Sequence, residues 1–296
     1  MSNPNQMPLW RSMLFIPATS ERFVAKAHTR GADAIKIDLE DAVAPAEKAR
    51  ARSLVADVAA SVGQAGADVL VRINRPWRLA VPDLEASIGA NVMGIVVPKV
   101  ESADHVVFLE EIIAELELER GLPLGHTCFL LQVETAKGFL NAREIAKASS
   151  RNRSITIGGE DFAHMLGMPA TLPTDLIGCM QQVQLAAREA GILAHGYPGS
   201  IANFSDLTQY RADIARARAL GFDGGSCIHP AQVAILNEEF APTEAEIAEA
   251  EALIAVYDAA LARGEGAVAY QGKMIDIPIA DRARGLLAQR DRIAAR

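Results

Sequence analysis

Two short stretches organise the chain: Leu131-Gln132-Val133-Glu134-Thr135 and Gly158-Gly159-Glu160-Asp161. Each follows an apolar, strand-like run and ends in carboxylate side chains. This pattern is typical of buried parallel strands whose last side chains reach into a site. Glu134 and Asp161 are separated by 27 positions, which is close to one strand–helix unit of a barrel, about 31 residues. The spacing predicts that neighbouring strands hold both carboxylates at the same end.

Eight strand-like runs recur along the chain with helical segments between them, and their starts average about 30 residues apart. They are residues 13–16, 34–38, 69–73, 94–97, 128–133, 154–157, 192–194 and 225–228. A doubly wound open sheet has the same local pattern, but no glycine-rich dinucleotide fingerprint follows the first run, and even spacing favours closure. The sequence therefore predicts an α/β fold, a TIM (β/α)8 barrel.

Polar side chains follow nearly every predicted strand at its C-terminal end. They are Asp38, Glu40, Asp41, Arg72, Asn74, Lys99, Glu134, Glu160, Asp161, Tyr197 and His229. Barrel enzymes carry their active sites at this end of the strands. The sequence therefore predicts a site there.

Helix signals divide the chain into a barrel and a tail. Ser102 is a predicted N-cap, and Thr243 with Glu246 forms a predicted capping box for a helix that we expect to close the barrel. The predicted domains are a catalytic barrel at residues 1–263 and a C-terminal extension at 264–296. The extension is predicted to consist of a glycine-containing connection, an extended piece at 273–278 and a helix at 280–293. Such an appendage is expected to be a lid or an arm that contacts a neighbouring subunit.

Composition excludes several classes of protein. The formal net charge of -8 argues against a sequence-independent nucleic-acid surface. The first nine residues lack the order of a signal peptide and no run has the length of a membrane span, so we expect a cytoplasmic protein without membrane contact. Three scattered cysteines without a CxxC pair indicate neither a disulfide framework nor a thiolate metal site.

Glu134 and Asp161 have the chemistry of a hard-cation site. Two carboxylates leave coordination positions for water and for a chelating substrate, as Mg²⁺ sites often do. The alternative is a buried ion pair or a helix cap. Gly158 and Gly159 form a tight turn, whose N–H groups could also receive a substrate carboxylate, and Glu160 is expected beside the metal ligands rather than among them.

Arg72, at the tip of a predicted buried strand, requires an anionic partner. It could merely pair with Glu40 or Asp41, or its planar donors could stabilise an enolate or thioester oxygen of a substrate. Glu40 and Asp41 are expected to hold Arg72 and metal-bound waters from a second layer. Lys99 and His229 either line the mouth of the site or satisfy backbone carbonyls.

Several motifs together resemble a known family. They are Arg11-Ser12-Met13-Leu14-Phe15-Ile16-Pro17, Gly31-Ala32-Asp33-Ala34, Asp38-Leu39-Glu40-Asp41, Val71-Arg72-Ile73-Asn74, Val97-Pro98-Lys99-Val100-Glu101, Val133-Glu134-Thr135, Gly158-Gly159-Glu160-Asp161, Ile228-His229-Pro230 and Gly272-Lys273-Met274-Ile275-Asp276. The chain thereby resembles the HpcH/HpaI aldolase and citrate lyase β-subunit superfamily over nearly its whole length. The resemblance is strongest to the branch that includes malyl-CoA, citramalyl-CoA and related acyl-CoA lyases.

The resemblance implies a role for particular residues. It implies that Glu134 and Asp161 bind Mg²⁺ and that Arg72 contacts substrate, and beside them we expect Gly159 and Glu160 to lie at the substrate. It also implies that Asp276 is a catalytic base that reaches a neighbouring subunit's site, whereas a solvated aspartate in a tail is the alternative. The implied partners are a 2-oxo acid, an acyl-CoA and further copies of the chain, as a trimer or hexamer.

Two departures from the family pattern bear on the substrate. Ala18 and Glu21 replace a usual glycine and proline in the loop near the acyl-CoA entry, and Ala194-His195-Gly196 replaces a usual Ile-Asp-Gly. The leading hypothesis is a Mg²⁺-dependent carbon–carbon lyase that cleaves a 3-hydroxyacyl-CoA such as malyl-CoA or citramalyl-CoA. The alternatives are a CoA-independent aldolase acting on free 4-hydroxy-2-oxo acids, and a citrate-lyase-like subunit that is inactive without its partner.

Overall fold

A computed structural model describes residues 7–169 and 175–296, so residues 1–6 of the N-terminal stretch lie outside it. The eight predicted strands form one parallel sheet, which confirms the α/β barrel. Observed and predicted bounds agree within two residues. The strands are β1 Ser12–Pro17, β2 Ala34–Asp38, β3 Asp68–Arg72, β4 Gly94–Val97, β5 Cys128–Val133, β6 Asn152–Ile157, β7 Leu193–His195 and β8 Gly225–Cys227.

The strands follow one another around the sheet in chain order, from β1 to β7, with β8 beside β1. The circle closes between β7 and β8 through a short seam, formed by residues 194–196 and 223–224. One parallel bridge joins His195 to Gly224, and the Gly196 N–H donates to the Gly224 carbonyl at 2.9 Å. The seam is much shorter than the five-residue pairing of β1 with β2. The barrel is therefore nearly closed, with one weakly paired side.

Glycine at position 224 is required by the close approach of two backbones at the seam. A Cβ atom there would lie 2.1 Å from the carbonyl oxygen of Trp10. Any side chain would therefore push β8 away from the chain that enters β1.

Alternate residues of each strand point into the barrel. The N-terminal part of the interior is filled by a mainly apolar cluster of Trp10, Met13, Ala34, Leu70, Met93, Val96, Cys128 and Leu130. Two positions further along β2 and β5, the inward side chains are the buried Lys36 and Gln132, and Asp38 and Glu134 follow. The apolar filling therefore gives way to polar groups towards the C-terminal ends of the strands.

Twelve α-helices are described. They are α1 Glu21–Ala27, α2 Lys48–Gly63, α3 Trp77–Ser87, α4 Ala103–Glu119, α5 Ala136–Leu140, α6 Ala142–Lys147, α7 Gly159–Met165, α8 Ile177–Ala190, α9 Leu207–Ala219, α10 Pro230–Glu239, α11 Glu244–Ala262 and α12 Ile277–Ala294. The Ser102 hydroxyl accepts the His105 N–H at the start of α4, and the Thr243 capping box is present at α11. Both predicted caps are confirmed.

The chain divides into two compact units, one up to Phe240 and the other Ala241–Arg296. This differs from the predicted boundary after residue 263, because Tyr257 of α11 packs in a small apolar cluster with Ile275 and Ala280. The glycine-containing connection includes strand β9 Val268–Tyr270, which pairs antiparallel with β10 Lys273–Ile275 in the predicted extended piece. The role of this unit as a lid or arm remains a prediction.

In the part of the chain that is described, every helix is too short or too polar to span a lipid bilayer.

Candidate active site

A pocket with a cavity volume of about 440 Å³ opens at the C-terminal ends of the barrel strands. The described residues that line it belong to the first unit, and they include five carboxylates and one guanidinium. The polar lining side chains are Asp38, Asp41, Arg72, Gln132, Glu134, Thr156, Glu160, Asp161, Tyr197 and Ser226. The sequence-predicted residues of the first unit therefore converge, since Arg72, Glu134, Gly159, Glu160 and Asp161 all line this pocket.

Glu134, at the end of β5, is buried with little compensation for its charge. Its Oε2 accepts the backbone N–H of Lys99 at 2.9 Å, and its Oε1 accepts a Gln132 amide N–H at 3.1 Å. Burial raises the pKa of Glu134 to about 8; Lys99 opposes this rise, while Glu40 and Asp161 add to it. The site therefore favours an additional positive charge beside Glu134.

Gly158 allows β6 to pass directly beside this carboxylate. A Cβ atom at position 158 would lie 2.3 Å from Oε1 of Glu134. Any side chain there would displace the carboxylate, which explains the glycine between the last strand residue and α7.

Lys99 is the cation that the three nearby acidic residues share. Its Nζ lies 3.0 Å from Glu40 Oε1, 3.3 Å from Asp161 Oδ1 and 3.6 Å from Glu134 Oε2. Burial by itself lowers the pKa of Lys99, but the three carboxylates outweigh it and the pKa is raised. Glu134 and Asp161 thus lie within reach of one common cation.

The backbone of Lys99 adopts a left-handed conformation with φ of 48°. This conformation is uncommon outside glycine, and where it persists the surroundings hold it in place. Here it allows one residue to turn both its backbone N–H and its ammonium group towards Glu134.

Arg72, at the end of β3, is clamped by Asp38 of the adjacent β2. The two residues are direct neighbours in the sheet register, and Nε and Nη2 of Arg72 each donate to Asp38 at 2.7 Å. Burial alone would raise the pKa of Asp38, but the hydrogen bonds and charge of Arg72 hold it below its usual value. Arg72 is therefore fixed in position, with the ring of Phe15 4.7 Å from its guanidinium carbon.

Glu40 and Asp41 also pair with Arg72, as the sequence suggests, but more loosely than Asp38 does. Their oxygens lie 3.3 and 3.4 Å from Nη1 of Arg72. Glu40 is buried, its pKa is raised by that burial, and its Oε2 has no hydrogen-bond partner in the described structure. Asp41 is mostly exposed. Sequence reasoning placed Asp38 in a motif but missed it as the principal partner of Arg72.

The donor set fits a hard divalent cation. Among the described residues no cluster of three or more His, Cys, Asp or Glu side chains forms a metal cage. Mg²⁺ does not require one, because it commonly binds one or two carboxylates and completes its shell with water and substrate oxygens. The raised pKa values of Glu134 and Glu40 both indicate a local deficit of positive charge.

Three other residues that the sequence predicted for the site, Glu160, His229 and Asp276, each have different neighbours. Glu160 accepts a hydrogen bond from the Ser200 hydroxyl. His229 caps α10 by accepting the Ala231 N–H at 3.2 Å, and it is absent from the described lining of the pocket. Asp276 belongs to the second unit, where it directly precedes α12.

Comparisons with known proteins agree with this architecture. Residues 11–230 match the family model described as HpcH/HpaI aldolase/citrate lyase. Citrate lyase subunit beta of Leuconostoc mesenteroides subsp. cremoris is 36% identical over 288 residues, which cover 96% of this chain and 94% of that protein. L-malyl-CoA/beta-methylmalyl-CoA lyase of Cereibacter sphaeroides is 33% identical over 310 residues, covering 96% of each protein.

A solved structure shows the same fold. The crystal structure of protein CitE from Mycobacterium tuberculosis, in complex with magnesium, acetoacetate and coenzyme A, superposes with a TM-score of 0.74 at 28% identity. The superposition covers 96% of this chain and 98% of that one.

Proposed function

The chain belongs to the HpcH/HpaI aldolase/citrate lyase family and is a carbon–carbon lyase of that family, and from this we propose that it cleaves a 3-hydroxyacyl-CoA with the help of Mg²⁺. Malyl-CoA and citramalyl-CoA are the proposed substrate type, and a 2-oxo acid and an acyl-CoA are the products. The relative from Cereibacter sphaeroides, named for malyl-CoA esters, supports this choice.

One observation carries the proposal: Glu134 and Asp161 both lie beside the ammonium group of Lys99, and Arg72, held by Asp38, lines the same pocket. Glu134 and Asp161 would hold Mg²⁺, which supplies a Lewis acid for the oxo group of the 2-oxo acid. The magnesium in the CitE complex supports this assignment. Arg72 would face the thioester, where negative charge develops during the reaction.

In the cleavage direction, the bond between C2 and C3 of the acyl group breaks. The hydroxyl proton passes to a water molecule in the pocket, the C3 oxygen becomes the oxo group, and the electrons of the broken bond form the thioester enolate. Nη1 of Arg72, which pairs only loosely with Glu40 and Asp41, would stabilise the enolate oxygen, because Asp38 holds Nε and Nη2 and keeps the guanidinium in place. Protonation of the enolate carbon then releases the acyl-CoA.

Asp276 is the proposed source of that proton, and in the synthetic direction it would act as the base that removes it. Its place directly before α12, in a unit separate from the barrel, is compatible with a base supplied by a second copy of the chain. Such an arrangement would require a homo-oligomer.

A CoA-independent aldolase is the second candidate. Ala18 and Glu21, which replace a glycine and a proline usual in the family near the acyl-CoA entry, favour this candidate. Replacement of Asp276 by Asn separates the two candidates, because it abolishes cleavage of CoA esters and spares cleavage of free 4-hydroxy-2-oxo acids. A third candidate, a subunit active only with a partner, is favoured by the similarity to citrate lyase subunit beta.

The deciding experiment measures release of 2-oxo acid, trapped as a hydrazone, from malyl-CoA, citramalyl-CoA and free 4-hydroxy-2-oxo acids. Each assay is run with Mg²⁺ and with a chelator. Metal-dependent release from a CoA ester supports the proposal, whereas release from free acids alone supports the aldolase. Release from no compound, by protein that binds Mn²⁺, contradicts both and leaves the partner-dependent subunit.

A further inference from the structure

Lys36 of β2 is a buried cation that the proposed reaction does not use. Its side chain is fully buried inside the barrel. Its Nζ donates to the Ser226 hydroxyl at 2.7 Å and lies 4.8 Å from the centre of the Phe15 ring. In the described structure no carboxylate forms an ion pair with it.

The other two cations at this end of the barrel have anionic partners. Arg72 is held by Asp38, Glu40 and Asp41, and Lys99 lies among Glu40, Glu134 and Asp161. Lys36 thus remains unpaired although five carboxylates line the adjacent pocket. Burying a charge without a counter-charge costs free energy. The position of Lys36 therefore disfavours lysine unless an anion from outside the chain supplies the counter-charge.

Ser226 connects Lys36 to the pocket. The serine lines the pocket from β8, and its oxygen accepts the ammonium N–H. The hydroxyl proton of Ser226 therefore points elsewhere, and no described residue accepts it. The Tyr197 hydroxyl donates to the backbone carbonyl of Ser226 at 3.0 Å, which helps to hold this part of β8 in place.

We propose that Ser226, with Lys36 behind it, forms an anion subsite for a second carboxylate of the substrate, one not adjacent to the oxo group. The Ser226 hydroxyl donates to this carboxylate, and the Lys36 ammonium supplies the counter-charge through the shared hydroxyl. The inference rests on the proposed function: it keeps the carbon–carbon lyase reaction on a 3-hydroxyacyl-CoA but predicts a substrate whose 2-oxo acid product is a dicarboxylate, in place of malyl-CoA and citramalyl-CoA, whose 2-oxo acid products carry one carboxylate.

The electrostatic surroundings of Lys36 agree with this assignment. Burial, and next the charge of Arg72 on β3, lower the pKa of Lys36 to about 7, and the Cys227 thiol on β8 opposes the change. The buried His195 on β7 is neutral near pH 7, since its own pKa is lowered to about 3 by burial and by Lys36. A carboxylate bound at Ser226 raises the pKa of Lys36, so its binding takes up protons near pH 7.5.

The test is the binding of pyruvate, oxaloacetate and 2-oxoglutarate to the full chain with saturating Mg²⁺, measured by calorimetry. The wild-type protein is expected to bind at least one dicarboxylate about tenfold more tightly than pyruvate, the gain typical of a charge-assisted hydrogen bond. In Ser226→Ala and Lys36→Met this preference disappears, while the affinity for pyruvate stays within about twofold of the wild-type value. Proton uptake accompanies dicarboxylate binding in the wild type and is lost in Lys36→Met.

The Ser226→Ala, Lys36→Met double variant tests whether the two residues form one subsite or contribute to dicarboxylate affinity independently. Because Lys36 acts through Ser226, the double variant loses no more dicarboxylate affinity than the weaker-binding single variant. Lys26→Met, an exposed lysine on α1, is the matched control and keeps the preference. If Lys36→Met does not fold, the loss of the dicarboxylate preference in Ser226→Ala alone tests the inference.

The inference is overturned if wild-type protein binds pyruvate and both dicarboxylates equally, or if the preference survives both single variants. Failure of the wild type to bind any of the three 2-oxo acids with Mg²⁺ is a different result, because it overturns the proposed function itself.

Discussion

Each end of the barrel contains a buried arginine paired with a carboxylate. At the N-terminal end, Arg151 donates to Glu117 at 2.8 and 2.7 Å, and the backbone N–H groups of Thr127 and Gly125 donate to the same carboxylate. Each Glu117 oxygen accepts two hydrogen bonds, and its pKa is lowered although burial opposes this. The charge at this end is neutralised within the protein itself.

The C-terminal end of the barrel also contains an arginine–carboxylate pair, but a neighbouring carboxylate there has fewer partners to compensate its charge. Arg72 and Asp38 satisfy each other, but the nearby Glu134 accepts one hydrogen bond per oxygen and shares a lysine with two other carboxylates. Burial raises the pKa of Glu134 to about 8. A buried ion pair is therefore no sign of function by itself, whereas charge left uncompensated by the protein indicates where a ligand binds.

The largest expected effect comes from neutralising Glu134. Glu134→Gln removes one of two proposed metal ligands, so we expect turnover to fall at least about a thousandfold, corresponding to several kcal/mol of lost charge stabilisation. Binding of Mn²⁺, followed by electron paramagnetic resonance, should weaken in parallel. The metal-free variant should be at least as stable as wild type at pH 7, because the raised pKa means that the buried carboxylate opposes folding there. Unchanged Mn²⁺ binding would contradict the assignment.

The matched change at the other end is Glu117→Gln. It leaves the buried Arg151 without its counter-charge, so the free energy of unfolding should fall by about 3 kcal/mol. Urea denaturation measures the loss. Turnover per folded molecule should stay at the wild-type value, and a fall in turnover at full folding would show that the two ends are coupled.

Arg72→Lys tests the geometry of the guanidinium rather than its charge. Lysine cannot bind Asp38 through two parallel hydrogen bonds and also keep a fixed donor for the enolate, so we expect kcat to fall about a hundredfold. Mn²⁺ binding should change little. Arg151→Lys is the control, which should lower stability and leave kcat intact; equal losses of kcat in both variants would remove the distinction between the two ends.

Lys36→Met is expected to have the smallest effect, and its sign depends on pH. The pKa of Lys36 is about 7 in the fold and 10.5 as a free side chain, so the cost of burying its charge is full below pH 7 and declines as pH rises towards 10.5. The variant should be more stable than wild type by about 1–2 kcal/mol at pH 6. The difference should narrow by pH 9, as measured by urea denaturation at each pH. A stability difference between Lys36→Met and wild type that widens as pH rises would contradict the lowered pKa of Lys36.

Local patterns in the sequence predicted most of the fold. The eight strands and the caps at Ser102 and Thr243 depend on apolar runs and on capping residues within a few positions of each other. The boundary between the units differed, because the apolar stripe of α11 does not reveal which partner it packs against. The family resemblance was confirmed by the comparisons.

The parts of the site that were missed depend on register between strands. Asp38 meets Arg72 because β2 and β3 align these two positions 34 residues apart. Lys36 meets Ser226 across 190 residues of sequence. Neither contact has a local signal, although alternation along β2 places Lys36 and Asp38 on the same face as Ala34.

The pairing of β8 with β1 has a consequence for how the protein is made. Strands β1 to β6 can pair one after another as they leave the ribosome, since each neighbour follows within about 40 residues. The free edge of β1 must wait for β8, more than 200 residues later. Until then the nascent chain exposes an unpaired strand, so we expect chaperone binding to end only when residue 227 has emerged. Truncated nascent chains that stop before β8 should remain protease-sensitive.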